Sequence, residues 1–301
     1  MTPSSQPALQ LAFTPTQSQG TETIQHPALG QPALQQPALT LFAIGLIGLG
    51  VVALVFGDFA MVWQPVAPWF PGRTALAYVT GALEMCVGFG LLFSATRAWA
   101  VRILFPGLIL WALLKVPAVV VAPLTEGVWL GLAELTILLS GGWTLFARLA
   151  ELPEGSIFGF AAGERGVHAA RMLFGASLPP IGLSHFVYLQ ATVHLVPAWL
   201  PFRAGWARLT GAGQIASGLG VLFNVLPRAA AWAQAAQISI YTLLIWLPAS
   251  LVTSYMNLQA VFGQSGKRLP FTALFISWTI ASAAWVVAQN VPQKRVADAK
   301  K

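Results

Sequence analysis

Four ionisable side chains stand inside long apolar runs: Asp58, Glu84, Lys115 and Glu134. A charge in such a run is costly, so each is a site candidate by default. At a helical rise of roughly 1.5 Å per residue they lie about 8, 15, 10 and 10 Å from the same membrane face. Each belongs to a different run, so four helices of one bundle can bring them together. Three carboxyls and one amine would make a polar pocket for a ligand headgroup or a proton. A plainer reading also stands. A Glu–Lys pair neutralises itself and fixes helix register, sparing the ~2.5–3.5 kcal/mol of an unpaired charge at mid-membrane. Asp58, nearest the surface, can reach the interface with its head.

Other chemistries lack their residues. His168 and His185 share one run but are separated by about 25 Å if that helix is straight, too far to ligate one iron. His194 falls in a loop, so neither haem nor metal is expected, and there is no ligand cluster at metal spacing. Cys86 is the single cysteine. It makes no internal disulfide and no redox pair, and reads as a small buried hydrophobe. Gly45, Gly48 and Gly50 sit within an apolar run rather than at a phosphate-binding turn. No nucleophile stands beside a base, which disfavours an enzyme acting alone.

The elements that must position these residues are membrane helices. The chain is 56% hydrophobic and only 8% charged, too little polar surface for a soluble fold and well suited to lipid. Its net charge of +7 comes from basic residues scattered singly, with no nucleic-acid signature. Runs of about 20 apolar residues predict an all-α protein with eight spans, near 41–63, 74–95, 98–122, 127–149, 167–190, 204–224, 228–256 and 269–288. Pro179-Pro180 should bend or break the fifth. An even number of spans puts both termini on one side. That side carries ten Lys and Arg against five on the other, which predicts cytoplasmic termini in the inner membrane. Tryptophans cluster near the run ends, as an interfacial belt would.

Residues 1–40 hold four copies of a Pro-Ala-Leu element, beginning at Pro7, Pro27, Pro32 and Pro37. Proline at that density predicts an unstructured tail, with neither the charge nor the apolar core of a secretory signal. Beyond it the chain repeats itself. At an offset of 130, Trp69, Pro71 and Arg73 match Trp199, Pro201 and Arg203; Thr80-Gly81-Ala82 matches Thr210-Gly211-Ala212; Gly88 and Gly90 match Gly218 and Gly220. One residue later in register, Arg97 matches Arg228 and Pro117 matches Pro248. This predicts two parallel four-helix units, 41–149 and 167–288, joined by a linker at 150–166 and followed by a basic tail at 289–301. Thr80, Gly81 and Gly88, like Thr210, Gly211 and Gly218, share a helix face whose small residues admit a close neighbour. The second unit has Gln214 for Glu84 and Trp246 for Lys115, so a charged site belongs to the first.

These motifs resemble the DoxX-like family of small bacterial membrane proteins. The resemblance rests on Gly182-Leu183-Ser184-His185-Phe186, loosely echoed by Gly57-Asp58-Phe59. It rests also on the proline-rich loops Pro68-Trp69-Phe70-Pro71 and Val196 to Pro201, and on the Gly-rich helix from Gly81 to Leu92. Family members are usually one four-helix unit, and this chain carries two. Some relatives are associated with thiosulfate:quinone oxidoreductase, which implies quinone as a ligand and redox-complex subunits as partners. Three readings follow: an accessory or binding protein for an apolar ligand, quinone or membrane lipid; a small-solute transporter or proton pathway; a structural membrane protein without ligand.

Overall fold

The computed structural model describes residues 36–252, 255 and 266–292. The Pro-Ala-Leu repeats before Gln36, the end of the seventh predicted span and the basic tail from 293 onward lie outside these residues. Among the described residues all regular structure is helical. Helix α1 spans Gln36–Phe56, α2 Arg73–Leu92, α3 Arg97–Val121, α4 Glu126–Leu149, α5 Gly163–Val187 and the short α6 Leu189–Leu195. Helix α7 spans Arg203–Leu222 and α8 Pro227–Tyr241; a π-helical turn, Thr242–Trp246, leads into α9, Leu247–Leu251. Helix α10 spans Arg268–Gln289. Among the described residues six helices are long and apolar enough to cross a membrane, counting Pro227–Leu251 (α8 to α9) as one, or seven if the bent pair α5–α6 counts as one span. Helix α7, with Arg203, Arg208 and Gln214, is less apolar than these.

Each long helix packs on the next: α1 on α2, α2 on α3, α3 on α4, α4 on α5, α5 on α7, α7 on α8, and α8 on α10. Helix α10 closes the cycle against α1 and also crosses the middle to touch α4. There Gly141 removes a side chain that would stand 2.5 Å from Ala283 Cβ. The core follows from this arrangement. Ala283, Ala284 and Val286 of α10 and Ile137 and Leu145 of α4 are fully buried, whereas Val79, Leu113 and Leu209 stay exposed on helices whose outer sides suit lipid.

Several boundaries correct the sequence reading. The tail does not extend to residue 40, because α1 starts at Gln36. Pro37 falls in the first turn, where its missing N–H costs nothing, and Ala38 and Leu39 are buried. The first span does not reach 63. It stops at Phe56, where Gly57 adopts φ +62°, a left-handed conformation that glycine takes without penalty. The linker is shorter than 150–166, since α5 begins at Gly163. Nor does Pro179-Pro180 break α5, which runs through both prolines. The carbonyl of Gly175, deprived of its partner by Pro179, is turned toward Gly218 of α7, 2.7 Å from where a Cβ would stand. The helix continues through that close contact, and the 95° bend between α5 and α6 comes at Tyr188.

Candidate functional site

After Gly57 the chain turns back into the bundle. Phe59 and Ala60 are buried, a 3-10 turn follows at Met61–Trp63, and Trp63 and Gln64 are buried too. The turn closes on itself: Gln64 Oε1 accepts the Ala60 backbone N–H at 2.7 Å. That leaves the two neighbouring side chains to reach in different directions. Gln64 Nε2 donates to Glu84 Oε1 of α2 at 2.6 Å, and Trp63 Nε1 donates to Glu134 Oε2 of α4 at 2.6 Å. One re-entrant turn thus staples together two half-buried carboxyls on separate helices. Each receives a neutral donor, and neither receives a formal counter-charge by direct contact.

Lys115 comes from α3. Its ammonium lies over Gly131 of α4, 2.9 Å from where a Cβ would stand. Glu134 is one turn further along the same face of α4 and feels the lysine's charge. Yet among the described residues Lys115 has no ion pair within 4.0 Å and no hydrogen bond. The arrangement holds two carboxyls in place and leaves three ammonium protons to be taken by an acceptor.

Asp58 does not join this cluster. It lies outside α1 and pairs with Arg73 of α2 and, at 2.6 Å, with Arg268 of α10. Arg268 also donates to the Phe59 carbonyl at 2.6 Å, and the Arg73 guanidinium sits 5.3 Å from the Phe59 ring centroid. The expectation that four charges converge therefore fails at Asp58; Lys115 lies by Glu134, and Glu84 is tied to the same turn through Gln64. Once Gly57 ends the helix, the aspartate is left at the bundle surface, within reach of two arginines. Those arginines clamp the entry to the re-entrant turn.

The small residues are at helix crossings. A Cβ on Gly81 would stand 3.0 Å from Gly50 O, and one on Gly88 2.9 Å from Ala43 O, so α1 and α2 touch backbone to backbone. Likewise Gly211 would clash with Gly182 O at 2.7 Å and Gly218 with Gly175 O at 2.7 Å, where α5 meets α7. Thr80 is half-buried beside this stripe. Thr210 donates to the Trp206 carbonyl at 2.8 Å. Gln64 was not singled out from the sequence, and Trp63, expected in the interfacial belt, is instead buried in the turn. Their signal was a polar Gln directly after Trp, at what looked like the fraying end of a span. No group of three or more His, Cys, Asp or Glu side chains gathers as a metal site among the described residues.

Comparison with protein-family models, curated proteins and solved structures finds no match to this chain.

Proposed function

We propose that this multi-pass membrane protein is an accessory or binding protein for an amphiphile, a quinone or a lipid, whose polar head docks at Lys115 beside Glu134. One observation carries the reading. Each carboxyl is held by an N–H donor from the re-entrant turn, and among the described residues Lys115 has donors and no acceptor within reach. A carbonyl or phosphate oxygen of a bound head satisfies it. In this reading the chain is a duplication with eight spans and cytoplasmic termini, similar to DoxX-like proteins, and redox-complex subunits are its partners. Matching hydrogen bonds support the duplication: Arg73 Nε donates to Val66 O, and Arg203 Nε, 130 residues on, donates to Val196 O. The paired glycine crossings at Gly81 and Gly211 support it as well.

The test is mass spectrometry of small molecules retained in native lipid discs, wild type beside Glu84→Gln/Lys115→Met. A quinone or one lipid class enriched only in the wild type supports the site. Identical bulk lipid in both samples makes the charges structural. A second reading, a proton pathway, is favoured by the carboxyls themselves, which are joined through one short hydrogen-bonded turn. It requires proton flux in proteoliposomes that Glu84→Gln abolishes.

A further inference from the structure

The second half of the bundle carries a set of polar side chains that the carboxyl site does not use. They lie where α5, α7 and α8 face one another. His185 Nδ1 is 3.1 Å from the Ala207 carbonyl and 3.1 Å from Thr210 Oγ1. The Gln237 amide N–H groups reach the Thr210 carbonyl at 3.0 Å and the Tyr241 hydroxyl at 2.6 Å. One turn along α8, Gln234 donates to the Gly213 carbonyl at 3.3 Å and to Ser217 Oγ at 3.2 Å. Gly213 provides the clearance, because a Cβ there would stand 3.2 Å from Gln237 Oε1.

The Gln234 and Gln237 amide N–H groups are engaged, but two buried amide oxygens are not. Gln214 Oε1 and Gln234 Oε1 have no hydrogen-bond partner, although the two residues are only 2% and 1% exposed. A buried amide oxygen without a donor is unfavourable anywhere, and a membrane interior offers no bulk water to correct it. His185 adds a third acceptor: with Nδ1–H directed at a carbonyl, Nε2 keeps its lone pair. Two further observations mark the place. Tyr241 is the last residue before the π-helical turn Thr242–Trp246, and such turns recur at functional sites. His185, Gln237 and Tyr241 are half-buried while Gln214, Ser217 and Gln234 are buried.

We propose that this seam is a second binding site, one that accepts neutral hydroxyl donors. None of its side chains carries a fixed charge, so an anion finds no counter-charge. A bare cation lacks the carboxylates, or the set of about six oxygens, that hard ions require. A hydroxyl supplies what Gln214, Gln234 and His185 lack. It comes either from an amphiphile whose alcohol or phenol head enters between the helices, or from ordered water.

The protein in lipid discs is tested with para-nonylphenol and with its O-methyl ether, which is similar in shape but has no donor. Unfolding is followed by tryptophan fluorescence, and water contact by pulsed hydroxyl-radical labelling. If an amphiphile is the source, the phenol raises the Tm about 3 °C above the ether. That difference persists in Glu84→Gln/Lys115→Met and disappears in Gln214→Leu and Gln234→Leu. If water is the source, phenol and ether act alike, and His185 and Tyr241 are labelled as readily as the exposed Trp69 and Trp199. Equal response to the two probes, with His185 and Tyr241 labelled no more than Phe89 within α2, overturns the proposal. The wild-type arms need no variant, so a Gln214→Leu protein that fails to fold leaves the test intact.

Discussion

On α2 the carboxyl of Glu84 is met by Gln64, whose neighbour Trp63 holds Glu134 of α4, and Lys115 of α3 lies by Glu134. On α7, 130 residues later in the sequence, stands Gln214, whose oxygen has no partner. Around it the chemistry is inverted. At the same offset Leu83 becomes Gly213 and Val87 becomes Ser217. At an offset of 131 Ile103, Pro106 and Leu110 become Gln234, Gln237 and Tyr241. The first half keeps charge and a lysine without an acceptor, and the second keeps neutral groups and two buried amide oxygens without a donor. Helix packing is meanwhile shared, with glycines meeting carbonyls at both crossings. Packing depends on backbone approach, which tolerates few alternatives. The polar interior depends on single side chains that can change one at a time.

The largest effects should therefore be common to both halves. Gly211→Leu and Gly81→Leu each drive a side chain into a facing backbone, and each should cost at least ~3 kcal/mol. The neighbouring Ala212→Leu, on an exposed position, should stay within ~0.5 kcal/mol. Unfolding in mixed micelles reads the difference. A tolerated Gly81→Leu beside a disrupted Gly211→Leu would mean that the halves do not share their packing.

Moving the acid comes next. Gln214→Glu places a carboxylate where no re-entrant turn and no lysine await it, and should lose ~2–3 kcal/mol. If it is as stable as the wild type, the first half's turn is not what makes a buried acid tolerable. Asp58→Asn is smaller still. It removes the charge between Arg73 and Arg268, partly exposed to solvent, and should cost ~1–2 kcal/mol in the same assay, with less effect in high salt.

Much of the scaffold was legible because long apolar runs and small-residue spacing are local properties. Helix α10 was placed to within one residue at each end, 269–288 against Arg268–Gln289. The site was legible only as a list of charges. Glu84, Lys115 and Glu134 declare themselves by standing in apolar runs. Their connection does not, because it depends on a chain reversal at Gly57 that an apolar stretch up to Trp63 conceals. The same reversal removed Asp58 from the cluster. The continuity of α5 through its prolines was hidden for a related reason. Two prolines predict a break locally, and what opposes it is Gly218, on another helix.

The smallest expected change in stability tests the site most closely. Trp63→Phe keeps an aromatic ring in the turn and deletes one N–H, the donor to Glu134. A single interhelical hydrogen bond in a membrane is worth ~0.6–1.7 kcal/mol, so unfolding should shift by no more than that. Ligand retention should respond more strongly. Glu134, released from the tryptophan, is free to approach Lys115 and take up the protons that the amphiphile's head needs. The variant should then co-purify with as little ligand as Lys115→Met does, while the second-half seam keeps its preference for the phenol over its ether. Unchanged retention would show that Trp63 only packs. The charge in the first half would then be a register device, and the two halves would differ in composition without differing in what they bind.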